Sequence, residues 1–353
     1  MLVQVFDDIE ALRSVHSARA EPARAIFQSL DWFEHLARHG MPPGIRLDLV
    51  CTTPSANDPA APPTCLPLIR TPRGLASLSN FYSGLYGPTG GEGSTEGWLA
   101  VCRHLRTIRP RPAQIKLQPL DAEGGFYAKV RDALAAAGYW TDSYFCFGNW
   151  YHRTAGCRFE DYLAARPSAV RNTVRRGRQK LDKAGNWQVS MHTQPGASLD
   201  EAISAYEAIY ARSWKPAEAY PNFIRGLCQM AARNGWLRLG VLALEGHAMA
   251  SQLWLFSAGT AYIFKLAYDP AAARFSPGSV LTAAMMEHAI DQDGAEEIDY
   301  LSGDDAYKQD WMSQRRERLG LVAFDPAAMH GLLGALRHFG GRGLRSIWQR
   351  RPA

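Results

Sequence analysis

The chain of 353 residues has the composition of a globular protein, with 46% apolar residues, 21% charged residues and a formal net charge of +5. This length fits two ordinary domains, and the apolar content excludes an intrinsically disordered chain. No run of apolar residues is long enough for a membrane-spanning helix. The first residues carry acids where a signal peptide needs positive charge, so we expect a cytoplasmic protein.

The six cysteines are scattered through the chain without a C-x-x-C pair. This spacing argues against a zinc site and against a disulfide framework. We therefore expect free, mostly buried thiols and no bound metal. The cysteines are Cys51, Cys65, Cys102, Cys146, Cys157 and Cys228.

The first part of the chain predicts alternating helices and strands. Helical spacing of apolar residues, with Gly40 as a stop signal, predicts a helix over residues 20–40. A Gly- and Tyr-rich connection covers residues 77–88. Further helices are predicted over 98–108 and 125–137, and strands over 47–51, 65–70, 114–119 and 139–150.

A second series of elements starts after residue 150. Three successive strands, joined by links that contain Gly246 and Gly259, predict antiparallel hairpins. A strand–helix–strand unit follows and predicts one parallel crossover, so the fold class is α+β. The helices are predicted over 159–165, 169–183, 199–213, 223–234 and 279–291, and the strands over 187–191, 236–244, 248–257, 260–268, 297–301 and 318–324.

Reactive side chains are concentrated immediately after the predicted strand 297–301. Asp304, Asp305, Tyr307, Lys308 and Trp311 lie within eight residues. Loops that leave strand ends often carry catalytic or binding groups. The same pattern also fits an acid pair at the start of a helix with a solvated lysine, and both interpretations stay open on the residues alone.

Several motifs, taken together and in order, resemble the GNAT acyltransferase superfamily. The resemblance is closest to its FemABX-like or BioF2-like branch, in which two GNAT-type domains follow each other. It covers the chain to about residue 325. The motifs are Ile26-Phe-Gln-Ser-Leu-Asp-Trp32, Phe159-Glu-Asp-Tyr-Leu163, Val170-Arg-Asn-Thr-Val-Arg-Arg176, Lys265-Leu-Ala-Tyr-Asp269, Ser276-Pro-Gly-Ser279, Asp299-Tyr-Leu-Ser-Gly303 and Tyr307-Lys308.

The resemblance implies two tandem GNAT-like domains, each a mixed, mostly antiparallel sheet flanked by helices. We expect residues 1–150 to form the acceptor side and residues 151–325 the acyl-donor site. A basic amphipathic tail, residues 326–353, would follow. This tail contains several arginines and no acid. It would either lie on the anionic inner face of a membrane or dock on the protein body.

The donor site is predicted around the start of the helix 279–291. Backbone N–H groups at a helix start can bind a pyrophosphate, although Ser276 and Pro277 are also ordinary capping signals. The family's phosphate loop usually reads Arg/Gln-x-x-Gly-x-Gly/Ala, whereas this chain has one glycine there. By resemblance, the groups that bind the donor are Leu266, Ala267, Tyr268, Arg274, Ser276, Gly278 and Ser279.

Acyl transfer to an amine needs a base, a polarised carbonyl and a proton for the leaving group. We predict Asp305, or less favourably Asp304, as the base and Tyr307 as the acid. Lys308 would supply a fixed positive charge to a phosphate or carboxylate, and Trp311 would pack. The predicted substrate-binding residues, several of which equally fit ordinary packing, are Tyr82, Ser83, Tyr86, Lys116, Trp214 and Lys265.

A basic helix over residues 169–183 carries Arg171, Arg175, Arg176, Arg178, Lys180 and Lys183. Its polar face is either simply solvated or a platform for an acyl-carrier protein, for tRNA or for a membrane.

The resemblance implies an N-acyltransferase that moves an acyl group from acyl-CoA or an acyl-carrier-protein thioester to an amine of a small molecule or sugar. The amine would attack directly. One alternative is an aminoacyl-tRNA-dependent transferase that acts on a peptide or peptidoglycan precursor. Another is a non-catalytic, membrane-associated or assembly protein with the same fold.

Overall fold

A computed structural model describes residues 2–16, 26–52 and 64–349, with the backbone alone at 15, 16 and 341–349. The chain divides into two compact units. The first unit consists of Met1–Cys146 together with Glu317–Ala353, and the second unit is Phe147–Arg316.

The strands of the chain are β1 Val3–Phe6, β2 Leu47–Thr52, β3 Cys65–Thr71, β4 Gly74–Ser77, β5 Gln114–Asp121, β6 Trp140–Arg153, β7 Trp187–His192, β8 Leu237–Leu244, β9 His247–Ser257, β10 Thr260–Tyr268, β11 Glu297–Asp299 and β12 Gln314–Phe324. The α-helices are α1 Ile9–His16, α2 Leu30–His39, α3 Thr95–Leu105, α4 Gly125–Ala136, α5 Phe159–Ala164, α6 Ser168–Ala184, α7 Ala197–Arg212, α8 Phe223–Arg233, α9 Pro277–Glu287, α10 Ala306–Trp311 and α11 Met329–Gln349.

The sheet of the first unit has the strand order β1-β2-β3-β4-β5-β12. Neighbouring strands are antiparallel except β4 and β5, which are parallel with Leu75 opposite Ile115. Large aromatic side chains such as Trp32, Phe33 and Trp98 are almost fully buried in this unit. Burial of this apolar surface is the main stabilising contribution.

The sheet of the second unit has the order β6-β11-β10-β9-β8-β7, where β6 contributes its residues from Phe147 onward. It is antiparallel except for β10 and β11, which are parallel with Ala261 opposite Ile298. Helices α6 and α9 pack against this sheet through buried residues that include Val174, Leu181 and Val280. The predicted fold class, a mixed and mostly antiparallel sheet flanked by helices, is therefore confirmed.

The structural units differ from the predicted domain limits. We expected residues 151–325 to form one domain, but Glu317–Phe324 belong to the first unit. The reason is that β12 pairs with β5, with Val322 opposite Lys116. Conversely, β6 pairs with β11, with Tyr151 opposite Asp299, so the end of β6 belongs to the second unit. The sheet of the first unit is therefore completed by a strand from the end of the sequence, whereas the second unit is one continuous segment.

The predicted first helix is shorter than expected. Within the described residues, a 3₁₀ turn at Ile26–Gln28 precedes α2. Ser29 caps α2, because its hydroxyl accepts a hydrogen bond from the Trp32 amide at 3.1 Å. Residues 20–25 of the predicted helix lie outside the described residues. The short elements β1, α1 and β4 were not predicted, because four or eight residues give little periodic signal.

The basic tail forms helix α11 despite its glycines. Its small residues face the body of the first unit: Ala335 is fully buried, and a side chain at Gly334 would contact the Phe324 ring. His338 also contacts Asp142 at 2.7 Å. The helix therefore docks on its own unit, with Leu333 and Leu336 exposed, and its contact with a membrane stays a prediction. No helix in the described ranges is long and apolar enough to cross a membrane.

Candidate active site

The candidate site is built on the separation of β10 from β11. The two strands pair only between Thr260–Tyr262 and Glu297–Asp299, whereas β10 continues to Tyr268 beside β9 alone. A register shift between Ile263 and Lys265 marks a bulge, which bends the strand at this point. Beyond Tyr262, the edge of β10 that faced β11 has no partner strand in the described parts of the chain. The predicted residues Leu266, Ala267 and Tyr268 lie on this length of β10.

The start of α9 lies beside the end of β10. A side chain added at Gly278 would be 3.2 Å from the Tyr268 ring, so the glycine permits this close approach. The first intrahelical hydrogen bond runs from the Val280 amide to the Ser276 carbonyl at 3.1 Å. The Gly278 and Ser279 amides precede it and have no acceptor inside the helix. The Ser276 side chain makes no capping hydrogen bond, so these two amides are available to an anion.

The basic helix α6 crosses the start of α9 at Gly177. A side chain there would lie within 2.7 Å of the Phe275 carbonyl oxygen and of the Val280 side chain. One turn further on, the Lys180 ammonium donates to the Arg274 carbonyl at 2.8 Å. The Arg274 guanidinium itself lies over the Phe275 ring. Positive charge from α6 is thus placed at the turn that leads into α9.

The loop that follows β11 is held from within the protein. The buried Asp299 carboxylate accepts hydrogen bonds from the Leu301 amide and from the Arg316 guanidinium, each at 2.6 Å. Leu301 adopts a left-handed conformation with φ of 54°. The Lys308 ammonium donates to the carbonyl oxygens of Tyr300, Ser302 and Gly303.

Lys308 differs from its predicted placement. We expected a fixed charge facing a phosphate or a carboxylate of the substrate, but the residue is only 4% exposed and its ammonium faces the backbone of its own loop. Burial lowers the pKa of Lys308, and Asp305 opposes this effect. The amine holds the conformation of the loop because it satisfies carbonyl groups that point inward.

The two acids of the loop have different surroundings. Asp304 is paired with Arg315 at 2.6 Å and accepts a hydrogen bond from the Trp150 indole at 2.9 Å. The hydrogen bond from Arg315 lowers the pKa of Asp304. The Asp305 side chain is 61% exposed and lies 3.5 Å from the Lys308 ammonium. Asp305 is therefore the more accessible carboxylate of this loop, and its role as base stays a prediction.

Tyr307 lies next to Asp305 and is 45% exposed. Its ring packs edge-on against the buried Tyr300, with the ring centres 5.8 Å apart. Burial, with the nearby Asp305 carboxylate, raises the pKa of Tyr307 to about 12. The phenol thus keeps its proton at neutral pH and can donate it. Trp311 is buried, and its carbonyl accepts a hydrogen bond from Tyr162.

The loop between α7 and α8 supplies a third side of the site. The Trp214 ring packs against the Tyr268 ring at 4.8 Å, and the Lys265 ammonium contacts Glu218 at 2.6 Å. The sequence pointed to Trp214 and Lys265, and the structure brings both to the free end of β10. Glu218 was missed, because no spacing pattern connects residue 218 with residue 265.

The predicted acceptor residues of the first unit are engaged inside that unit. Tyr86 is 1% exposed, and its hydroxyl donates to the Pro67 carbonyl at 2.6 Å. Tyr82 and Ser83 are also buried. The Lys116 ammonium lies over the Tyr144 ring at 5.2 Å. These contacts are those of ordinary packing, which was the alternative interpretation of the same residues.

One serine–histidine contact was not apparent from the spacing of the sequence. The His192 ring lies 3.0 Å from the hydroxyls of both Ser190 and Ser198. Ser190 and His192 are on β7 and Ser198 is in the first turn of α7, and β7 is the edge strand farthest from β11 in the sheet of this unit. They do not contribute to the candidate site.

In the described residues, the thiols and the potential metal ligands form no second functional site. All six cysteines are free, and four of them are buried. No group of three or more histidine, cysteine, aspartate or glutamate side chains in residues 2–16, 26–52 and 64–349 is placed to hold a metal ion.

Residues 168–309 match the family model described as an acetyltransferase (GNAT) domain. The match extends from the start of α6 through β10, α9 and β11 into α10, the elements that form the candidate site. The chain contains a GNAT acetyltransferase domain. The predicted GNAT resemblance and the predicted acyltransferase class are confirmed. No curated protein matches this chain in sequence at a significant level.

Solved structures extend the similarity beyond the GNAT domain. FemX is similar with a TM-score of 0.64 and 12% identity over 92% of this chain and 97% of its own. The C-terminal domain of a putative lysylphosphatidylglycerol synthetase from Agrobacterium fabrum has a TM-score of 0.53 and 12% identity, with 93% and 96% covered. L-PGS from Bacillus licheniformis has a TM-score of 0.52 and 11% identity, with 93% and 94% covered. At these identities the similarity establishes a shared fold, which agrees with the predicted FemABX-like branch.

Proposed function

We propose that the GNAT domain transfers an acyl group from a thioester donor, acyl-CoA or an acyl-carrier protein, to an amine of a small molecule or sugar. The observation that carries this proposal is the uncapped start of α9 beside the unpaired edge of β10. The first feature fits a phosphorylated donor, and the second fits its carbonyl group. Asp305 and Tyr307 lie at the start of α10, after the loop that follows the neighbouring strand β11.

The donor would be held at two points. Its phosphates fit the amides of Gly278 and Ser279, where the helix dipole and Lys180 favour negative charge. Its thioester carbonyl fits the backbone amides of β10 between Ile263 and Tyr268. Hydrogen bonds from fixed backbone donors stabilise the oxyanion that develops during acyl transfer, since they need no reorganisation.

Proton transfers would use the loop after β11. The attacking amine must be neutral, and the exposed Asp305 carboxylate can accept the ammonium proton directly or through water. The amine then attacks the carbonyl carbon, and the bond to the thiol sulphur breaks. Tyr307, whose pKa is raised to about 12, can give its proton to the departing thiolate. Lys308 keeps the loop in position for both residues.

Paired variants test the donor site. Millimolar CoA or acetyl-CoA should raise the melting temperature of the wild-type protein, because ligand binding stabilises the folded state. Lys180→Ala should remove most of this shift, since Lys180 contacts the loop before α9. Lys183→Ala makes the same change of charge one turn away and should retain the shift. The proposal fails if neither ligand raises the melting temperature and native mass spectrometry finds no bound acyl-carrier protein.

A second candidate is an aminoacyl-tRNA-dependent transferase that acts on a peptide or peptidoglycan precursor. It is favoured by the exposed Arg171, Arg175 and Arg176 on α6, beside the proposed donor site. The shared fold with L-PGS and with a putative lysylphosphatidylglycerol synthetase, a name that implies a lysyl group, also favours it.

The two candidates differ in what α6 binds. A tRNA platform predicts that RNase-sensitive nucleic acid copurifies with the protein and that Arg175→Ala and Lys183→Ala both weaken its binding. The thioester proposal predicts neither result. Electrophoretic mobility shifts with purified tRNA, measured at two salt concentrations, would separate the two.

A further inference from the structure

We infer that the cleft around Lys215 binds a carboxylate group of the substrate, carried either by the acyl chain or by the amine acceptor. The identity of the substrate rests on the proposed function, whereas binding of the carboxylate can be measured without turnover. We call this surface the Lys215 cleft and define it by Tyr210, Trp214, Lys215, Glu218 and Lys265.

Aromatic rings and ammonium groups alternate in the Lys215 cleft. The Lys215 ammonium lies 5.9 Å from the ring centres of both Tyr210 and Trp214. The Lys265 ammonium lies 5.7 Å from the centre of the same Tyr210 ring. The Trp214 ring in turn packs against Tyr268, on the length of β10 proposed to hold the thioester carbonyl. The cleft therefore adjoins the point of acyl transfer.

The cleft has one positive charge more than it has negative charges. Glu218 is paired with Lys265 at 2.6 Å, and Asp305 lies 3.5 Å from Lys308. Both pairs act electrostatically on Lys215. Among the described residues, no carboxylate lies within 4 Å of the Lys215 ammonium and none accepts a hydrogen bond from it. A singly charged carboxylate would balance the charge, whereas a doubly charged phosphate would exceed it.

The protonation of Lys215 follows from its surroundings. Burial, followed by repulsion from Lys265, lowers its pKa to about 8, while Glu218 and Asp305 oppose the change. A bound carboxylate favours the charged ammonium and should raise this pKa. Binding should therefore weaken as the pH rises through about 8, well below the ordinary value of 10.5 for a lysine.

The first test measures binding alone. Reductive ¹³C-methylation makes each lysine visible by NMR, and the signal lost in Lys215→Arg identifies Lys215. Butyrate at about 100 mM should raise the Lys215 pKa by one unit or more and leave the exposed Lys183 unchanged, while butyramide should change neither. The inference is overturned if butyrate leaves the Lys215 pKa unchanged or shifts Lys183 equally.

The second test identifies the source of the carboxylate. One arm compares succinyl-CoA with butyryl-CoA, and the other compares 6-aminohexanoate with hexylamine. In the arm that carries the natural carboxylate, Lys215→Met should reduce the preference for the charged compound by about tenfold, as expected for loss of a charge-assisted hydrogen bond. Lys215→Arg should restore part of it. Arg233→Met removes an exposed cation of the same unit and should have no effect.

The two tests separate the two proposals. A butyrate-dependent pKa shift without turnover of any donor would overturn the proposed function and leave the carboxylate site standing. Turnover with no preference for a carboxylate in either arm, and no pKa shift, would overturn the carboxylate site alone.

Discussion

The two units contain the same strand–helix–strand arrangement, β4–α3–β5 in the first and β10–α9–β11 in the second, but their helices start differently. In the first unit the Ser94 hydroxyl accepts a hydrogen bond from the Gly97 amide at 3.0 Å, so α3 is capped by its own chain. In the second unit Ser276 makes no such bond. A helix start that is already capped has fewer amides to offer an anion.

The strand ends beside these helices also differ, since the chain covers one of them and leaves the other open. In the first unit the hydroxyls of Ser77 and Ser79 donate to the Gln118 carbonyl of β5, and the Tyr86 amide donates to the Pro119 carbonyl. The chain itself therefore occupies the end of β5. In the second unit β10 continues beyond its parallel partner. The same strand–helix–strand arrangement is thus closed by its own connecting segment in the first unit and left open in the second. The open arrangement supports a donor site in the second unit.

The largest expected difference concerns two tyrosines. Tyr307→Phe should lower kcat about 100-fold, because general acid catalysis typically contributes 10²–10⁴-fold. Tyr86→Phe should leave kcat unchanged and lower the free energy of unfolding by about 1 kcal/mol, since the Pro67 carbonyl loses the phenol and keeps only the Leu78 amide as a donor. Steady-state kinetics and urea unfolding measure the two effects. Full activity of Tyr307→Phe would remove its assignment as the acid. Lost activity of Tyr86→Phe would make Tyr86 a substrate-binding candidate again.

A second difference should appear in acid. Burial and the neighbouring Arg166 lower the pKa of His152, in the second unit, from 6.5 to about 4. Between these values the unfolded chain binds a proton that the folded chain does not, so the free energy of unfolding falls as the pH drops from 6.5 towards 4. We expect a loss of about 1–2 kcal/mol, because partial solvent contact reduces the effect of the shift.

Hydrogen exchange, corrected for its intrinsic pH dependence, measures this loss unit by unit. Protection of the second unit should decrease between pH 6.5 and 4, and His152→Gln should flatten the dependence. His247→Gln changes an exposed histidine and should not. An unchanged slope in His152→Gln would assign the acid sensitivity to other groups.

The smallest expected difference tests the two helix starts directly. Ser94→Ala should lower the free energy of unfolding by about 1 kcal/mol, because α3 loses its side-chain cap. Ser276→Ala should cost a few tenths of a kcal/mol or less, since no capping bond is lost. Denaturant unfolding of both variants gives the comparison. Equal losses would show that the contrast in capping does not exist in solution.

The second unit was the easier half to predict from the sequence. The predicted strand 260–268 coincides with β10, and the predicted basic helix lies within α6. Glycines with positive φ at Gly246 and Gly259 mark the two hairpins, and such turns give a strong local signal. The segment that forms the proposed donor site was predicted from the order of several motifs and not from any single motif.

The roles of individual groups in the site were harder to predict because they depend on backbone conformation and on distant contacts. Lys308 faces inward because Leu301 and Gly303 adopt positive φ values that direct carbonyl groups towards it. No side-chain pattern reports that geometry. The Lys215 cleft joins a loop with a strand some fifty residues later in the chain. The side-chain periodicity of one segment gives no information about its contacts with the other.

The pairing of β12 with β5, across the whole sequence of the second unit, affects how the protein is made. β5 receives its partner β12 only after all of Phe147–Arg316 has been synthesised. At ordinary rates of translation that interval lasts roughly 10–30 s. During this time one edge of β5 is unpaired, and unpaired edges invite aggregation. The nascent chain therefore has a period in which a chaperone at the ribosome would protect it, and a truncation before residue 317 would make that exposed edge permanent.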